Sequence, residues 1–90
     1  MKAILISAIW CPSCLIMKSL YRKIWKQYPS IIIEHIDYDD DPDRVALYKV
    51  GTILPVLLFI DEDKEILRIV GEKSKKEVVR LLEDIAYEKH

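Results

Sequence analysis

The chain contains only two cysteines, and both lie in the segment Cys11-Pro12-Ser13-Cys14. Two thiols at this spacing can form a redox couple, supply half of a metal site, or close a small structural disulfide. The spacing alone is common, so the choice depends on the elements that hold the pair. In the cytoplasm, cysteine pairs are more often reactive or metal-binding than structural.

The residues around the pair predict a buried strand followed by an amphipathic helix. Lys2 to Ile9 is almost continuously apolar, as in a strand covered on both faces. Pro29 and Ser30 end the helical pattern. Within it, apolar residues recur mostly at three- and four-residue spacing: Leu15, Met17, Leu20, Tyr21, Ile24, Trp25 and Tyr28. The cysteines therefore lie at a strand-to-helix junction.

Cys11 is predicted to be the N-cap of that helix, with Pro12 at the first helical position. Its sulfur is then expected to face free backbone N–H groups and the positive end of the helix dipole, which both favour a thiolate. Cys14 lies one turn inside the helix, within disulfide range and more buried. We therefore expect Cys11 to attack a substrate disulfide and Cys14 to resolve the mixed disulfide.

The rest of the chain predicts three more strands and two more helices, giving the order β-α-β-α-β-β-α. This is an α/β fold with a four-stranded mixed sheet, helices on both faces and a single domain, residues 1–90. The predicted segments are a strand Ile31–Asp37, a helix from the cap Asp41-Pro42 to about Lys49, a strand Val56–Ile60, a hairpin turn into Glu65–Val70, and a helix opened by a Ser74/Glu77 capping box, with Val78, Val79, Leu82, Ile85 and Ala86 facing inward.

Composition indicates a soluble globular protein. Of its 90 residues, 51% are apolar and 32% charged, and the net charge of −1 gives no reason to expect a nucleic acid or an anionic membrane as partner. Neither a membrane span nor a signal peptide is predicted, so we expect a cytoplasmic monomer. The acidic run Asp37–Asp43 lacks the glycine of a calcium loop, and we interpret it as a solvated strand exit.

Trp10-Cys11-Pro12-Ser13-Cys14 after an apolar strand resembles the active-site loop of the thioredoxin superfamily. Leu54-Pro55 before the third strand resembles that family's cis-proline loop, and Gly71 lies where thioredoxins carry a glycine. The resemblance covers nearly the whole chain, without the extra N-terminal strand and helix of full-size thioredoxins. It implies a minimal thioredoxin-like fold and a thiol–disulfide oxidoreductase, with no metal and no cofactor beyond a redox-active Cys11–Cys14 disulfide.

The same resemblance implies how substrates bind. The Leu54–Pro55 bond is expected to be cis and to lie against the cysteines, with the Leu54 backbone pairing to an extended substrate peptide. Trp10 and Pro12 are expected on the substrate-binding surface. The implied partners are protein disulfides, together with a reductase or small thiol that recharges the pair.

One position departs from the family pattern. Thioredoxins usually bury an aspartate under the cysteines as a proton acceptor, and the matching residue here is Leu5. His35 lies roughly where thioredoxins often place a lysine beside that aspartate. A histidine there is a candidate for proton transfer, although a half-exposed strand residue without a catalytic role is the simpler interpretation.

Three alternative functions stay open on the sequence. Cys-Pro-x-Cys resembles the glutaredoxin type, but Glu72 after Gly71 opposes a glutathione carboxylate, so we favour protein disulfides as substrates. Two thiolates also suit a Cu(I)- or Zn(II)-binding metallochaperone, although those folds end in a strand and lack the late Leu-Pro signal. A non-catalytic module that binds peptides beside Pro55 has no need for two cysteines at redox spacing.

Overall fold

The computed structural model describes the backbone of residues 1–88 and the side chains of residues 1–85. The predicted order β-α-β-α-β-β-α is confirmed. The elements are β1 (Lys2–Ser7), α1 (Pro12–Trp25), β2 (Ile32–Asp37), α2 (Pro42–Leu47), β3 (Val56–Asp61), β4 (Lys64–Val70) and α3 (Lys75–Glu88).

The four strands form one mixed sheet in the order β2-β1-β3-β4. β1 and β2 run parallel, whereas β3 is antiparallel to both β1 and β4. The parallel pair requires the crossover that α1 provides, and the antiparallel β3–β4 pair needs only a tight turn. That turn places Glu62 and Asp63 at positive φ, of 51° and 64°, as in the hairpin turns that match strand twist.

Alternating side chains of β1 divide the core into two layers, because successive residues of a strand point to opposite faces. Ala3 and Leu5 pack with residues of α1 and α3, whereas Ile4 and Ile6 pack with Val45 of α2. All four β1 side chains are at most 1% exposed. The prediction of helices on both faces of the sheet is confirmed.

Several predicted boundaries were wrong by two or three residues. β1 ends at Ser7 rather than Ile9, since the chain turns there and leaves Ile9 84% exposed. α1 ends at Trp25, and α2 ends at Leu47 because Lys49 adopts a positive φ of 53°. A residue with left-handed backbone cannot continue a helix.

The inward face of α1 consists of Cys14, Met17, Tyr21 and Ile24. Leu15 was wrongly included in that face. It is 67% exposed, because one residue advances a helix by about 100° and carries Leu15 past the buried stripe. Within the final helix, Val78, Leu82 and Ile85 are buried as predicted, whereas Val79 is half-buried; the side chain of Ala86 lies outside the described residues.

The predicted helix caps form only in part. The Glu77 N–H donates to Ser74 Oγ at 3.2 Å, but the Glu77 carboxylate accepts from the Ser74 hydroxyl rather than from its backbone. Asp41 occupies the N-cap position of α2 without a capping hydrogen bond from its side chain. Within residues 1–88, no helix is long and apolar enough to cross a bilayer.

Candidate active site

Cys11 sits at the N-cap of α1, where β1 has ended and a tight turn redirects the chain. Its N–H donates to the Ala8 carbonyl at 3.2 Å, and its extended backbone (φ −99°, ψ 111°) leads into Pro12. The Cys14 N–H donates to Cys11 Sγ at 3.2 Å. The sulfur therefore satisfies a helix N–H donor that otherwise lacks a partner.

Cys14 lies one turn inside α1 and is 1% exposed, against 7% for Cys11. Burial, together with the side-chain contact to Cys11, raises the pKa of Cys14 to about 11. Both cysteines are free thiols. The two sulfurs are thus chemically unequal, since one caps a helix and the other is a buried thiol that resists ionisation.

The Leu54–Pro55 peptide bond is cis, the isomer that the resemblance implies. It lies against the cysteines, because the Cys11 thiol donates to the Leu54 carbonyl oxygen across a Sγ–O distance of 3.9 Å. On its other side, the Gly71 N–H donates to the Pro55 carbonyl at 2.8 Å. Gly71 has φ of 76°, and a Cβ there would come within 3.2 Å of Ile53 Cγ2. Glycine therefore suits both the backbone and the space at this position.

Trp10 extends beside the cysteines with 59% of its surface exposed. Its indole Nε1–H donates to Asp39 Oδ2 at 2.6 Å, and its ring meets Tyr38 edge-on at 6.2 Å. Ile9 and Ile53 are also apolar and lie largely in solvent, with 84% and 62% of their surfaces exposed. The surface next to Cys11 therefore exposes apolar groups, and the loop after β2 holds the Trp10 ring in place.

The hydrogen bond between Trp10 and Asp39 was not predicted from the sequence, because the acidic run Asp37–Asp43 was interpreted as a solvated strand exit. A usable signal was present: Trp10 follows β1 and Asp39 follows β2, and parallel neighbouring strands end at the same edge of a sheet. The Asp37 carboxylate also orders this loop by accepting from the N–H groups of Asp39 and Asp40. Part of the acidic run thus supports the site.

Leu5 and His35 are direct partners in the β1–β2 register. Leu5 is fully buried under α1, so the matched position carries no proton acceptor. Partial burial, with the nearby cations Lys18 and Arg22, lowers the pKa of His35. Among residues 1–85, no hydrogen bond joins His35 to either thiol. Proton transfer by His35 therefore stays a prediction that no described hydrogen bond to a cysteine supports.

Comparison with known proteins agrees with this geometry. A model of the family described as Thioredoxin matches residues 2–84. A thioredoxin of Chlamydia caviae is 31% identical over 75 residues, which make up 83% of this chain and 72% of that protein. Thioredoxin H5 of Oryza sativa is 34% identical over 65 residues, 72% of this chain and 47% of that protein.

The solved structure of thioredoxin 1 from Thermosipho africanus superposes with a TM-score of 0.86 at 28% identity, covering 99% of this chain and 98% of that one. These matches do not favour the metallochaperone and glutathione-dependent alternatives. The chain therefore belongs to the thioredoxin family, and its function is that of a thiol–disulfide oxidoreductase.

Proposed function

We propose that Cys11 and Cys14 exchange dithiol for disulfide with protein substrates, Cys11 as the attacking thiol and Cys14 as the resolving one. The observation that carries this assignment is the unequal placement of the sulfurs. Cys11 Sγ accepts a helix N–H and is 7% exposed, whereas Cys14 is 1% exposed. Of the two sulfurs, Cys11 is the more exposed and the one that accepts a helix N–H, and both features favour it as the attacking thiol.

In the reductive direction, the Cys11 thiolate attacks one sulfur of a substrate disulfide, forms a mixed disulfide and releases one substrate thiolate. Cys14 then loses its proton to water or to that released thiolate, and attacks the Cys11 sulfur. A Cys11–Cys14 disulfide forms, and the second substrate thiolate leaves. Two electrons pass from the pair to the substrate, so the pair needs no other cofactor.

The substrate peptide is proposed to lie over Pro12 and beside the cis Leu54–Pro55 bond, where it pairs with the Leu54 backbone as an added strand. The exposed ring of Trp10 borders the same surface. Thioredoxins act on protein disulfides and are recharged by a reductase. We propose that a reductase or a small thiol recharges this chain, which acts as a monomer in the cytoplasm.

Redox titration with thiol trapping tests the proposal on the full chain. Cys11 and Cys14 are expected to oxidise together in one reversible two-electron step across a dithiothreitol series, coupled to reduction of a protein disulfide. The Cys14→Ser variant is expected to accumulate a mixed disulfide with the substrate, and Cys11→Ser is expected to form none. The absence of a transition, with stoichiometric Cu(I) or Zn(II) retained instead, would contradict the assignment.

A further inference from the structure

A cavity of about 260 Å³ opens between α1 and β2. Its buried wall includes Leu5 and Tyr21, which belong to the core layer under α1. Cys11 and Leu54 belong to the opposite core layer. The cavity is therefore separate from the surface on which substrate disulfides are proposed to bind.

Two cations line this cavity, and neither has a carboxylate partner among the described side chains. Lys18 and Arg22 are four residues apart on α1, so they lie on the same face of the helix and repel each other. Among residues 1–85, neither forms a salt bridge. Glu34 is the nearest acidic residue in the β2 sequence, but it pairs with Lys2 and Arg44. Within residues 1–85, the positive charge at the cavity is therefore not compensated by an ion pair.

His35 adds a polar group from the facing strand. Partial burial and the charges of Lys18 and Arg22 lower its pKa, which is the response expected of an imidazole beside uncompensated cations. Neutral imidazole still carries one N–H donor. The polar side of the cavity thus presents two cations and a hydrogen-bond donor from two different elements.

The opposite side of the cavity is apolar. Leu5 is 1% exposed, and Trp25 and Ile33 are partly buried where they pack on the same core. A bare inorganic oxyanion loses favourable hydration when it leaves water, and an apolar wall offers no hydrogen bond in exchange. The transfer of an apolar group from water to such a wall is favourable. An anion with an apolar body satisfies both sides of the cavity at once.

We propose that this cavity binds a small organic carboxylate, with its oxygens toward Lys18 and Arg22 and its apolar body against Leu5 and Trp25. A volume of about 260 Å³ accommodates an occupant about the size of a single aromatic ring with its carboxylate. The charge of Lys18 also acts on Cys14, but the cavity residues are not the ones proposed to exchange or bind substrate disulfides. A failure to bind a carboxylate is therefore distinguishable from a failure of the proposed oxidoreductase site.

The test uses benzoate as the probe, and NMR on the full chain detects its binding. We expect saturable millimolar binding with shifts at the His35 ring and the Trp25 indole. Separate Lys18→Gln and Arg22→Gln variants are each expected to weaken binding about two- to fivefold, the range for one partly exposed ion pair. Lys23→Gln is the matched control, because it removes one exposed positive charge of the same helix outside the cavity and is expected to leave binding unchanged.

Two further ligands make the outcome decisive. Benzyl alcohol keeps the apolar ring without the charge, and inorganic phosphate keeps the charge without the ring. Both are expected to bind more weakly than benzoate. Equal binding of benzyl alcohol overturns the role of the cations, and equal binding of phosphate overturns the role of the apolar wall. Equal weakening by Lys23→Gln, or an absence of saturable shifts at His35 and Trp25, overturns the site itself.

Discussion

Ionisation of the Cys14 thiol is expected to require strongly alkaline solution. Its pKa of about 11, raised by burial and by the contact with Cys11, leaves about one Cys14 in 10,000 as thiolate at pH 7. An ordinary thiol with a pKa of about 8.5 is about one-thirtieth ionised at that pH. Cys14 is therefore expected to hold roughly 300-fold less thiolate than an exposed cysteine.

The Cys11→Ser variant isolates this residue, because it leaves Cys14 as the only cysteine. Burial is the larger cause of the raised pKa and is kept, whereas the contact with the Cys11 sulfur is lost. We therefore expect the thiolate absorbance of this variant to rise with a midpoint above about pH 9, although below that of the paired thiol. Subtracting a Cys11→Ser/Cys14→Ser double variant removes the contribution of the tyrosines.

A midpoint at or below that of an ordinary thiol, about 8.5, would refute the reasoning from burial. Repeating the titration in urea provides the reference, since Cys14 of the unfolded chain titrates as a free thiol. The same difference fixes the sign of a stability effect. From about pH 9 upward the unfolded chain releases this proton before the folded protein does, so folding stability falls as pH rises toward 11.

Two other predictions concern stability. Arg68 donates to the Tyr48 carbonyl at 2.7 Å, at the C-terminal end of α2. Because Arg68→Met removes this hydrogen bond, it is expected to lower the free energy of urea unfolding by about 1–2 kcal/mol. Arg80→Met, on the exposed side of α3, is the control, and an equal loss of stability there would contradict this cause. Hydrogen bonds from Arg44 and, to a smaller extent, from Lys2 hold the pKa of Glu34 at about 2. The ionised Glu34 carboxylate therefore stabilises the fold above about pH 4.5, and this stabilisation is lost as pH falls toward 2. In Glu34→Gln, the drop in Tm between about pH 5 and pH 2.5 is expected to be a few degrees smaller, and an unchanged drop would show that solvent screening removes the effect.

The fold was predictable because its local signals agree with one another. Continuous apolar runs marked the strands buried on both faces, and the three-to-four spacing from Met17 to Ile24 marked the inward face of α1. Element ends were less predictable. Ile9 is apolar and follows a strand, yet it is exposed, because the turn that sets up Cys11 takes precedence over local hydrophobicity. Tertiary geometry at the site decided that boundary.

The site was predictable where one local rule sufficed. A cysteine before a proline at the start of a helix predicts an N-cap, and the hydrogen bond from the Cys14 N–H to Cys11 Sγ confirms that geometry. The Trp10–Asp39 bond and the Arg68 contacts join residues 29 and 20 positions apart. No periodicity or cap signal links such residues, since only the strand order of the sheet brings them together.

Leu5 gives the resolving step that we propose for Cys14 an unusual electrostatic balance. The position that matches the family's buried aspartate holds an alkyl group, and burial disfavours the Cys14 thiolate. A hydrogen bond with the Ala8 backbone lowers the pKa of Cys14, and so, to a smaller extent, does the charge of Lys18, which lies one turn beyond Cys14 on α1. A cation stabilises the product of deprotonation but accepts no proton. The proton of Cys14 must therefore leave to water or to the released substrate thiolate. The rate of resolution is then expected to increase with pH across the neutral range. In a protein with a buried carboxylate of suitable pKa as proton acceptor, that rate would instead level off.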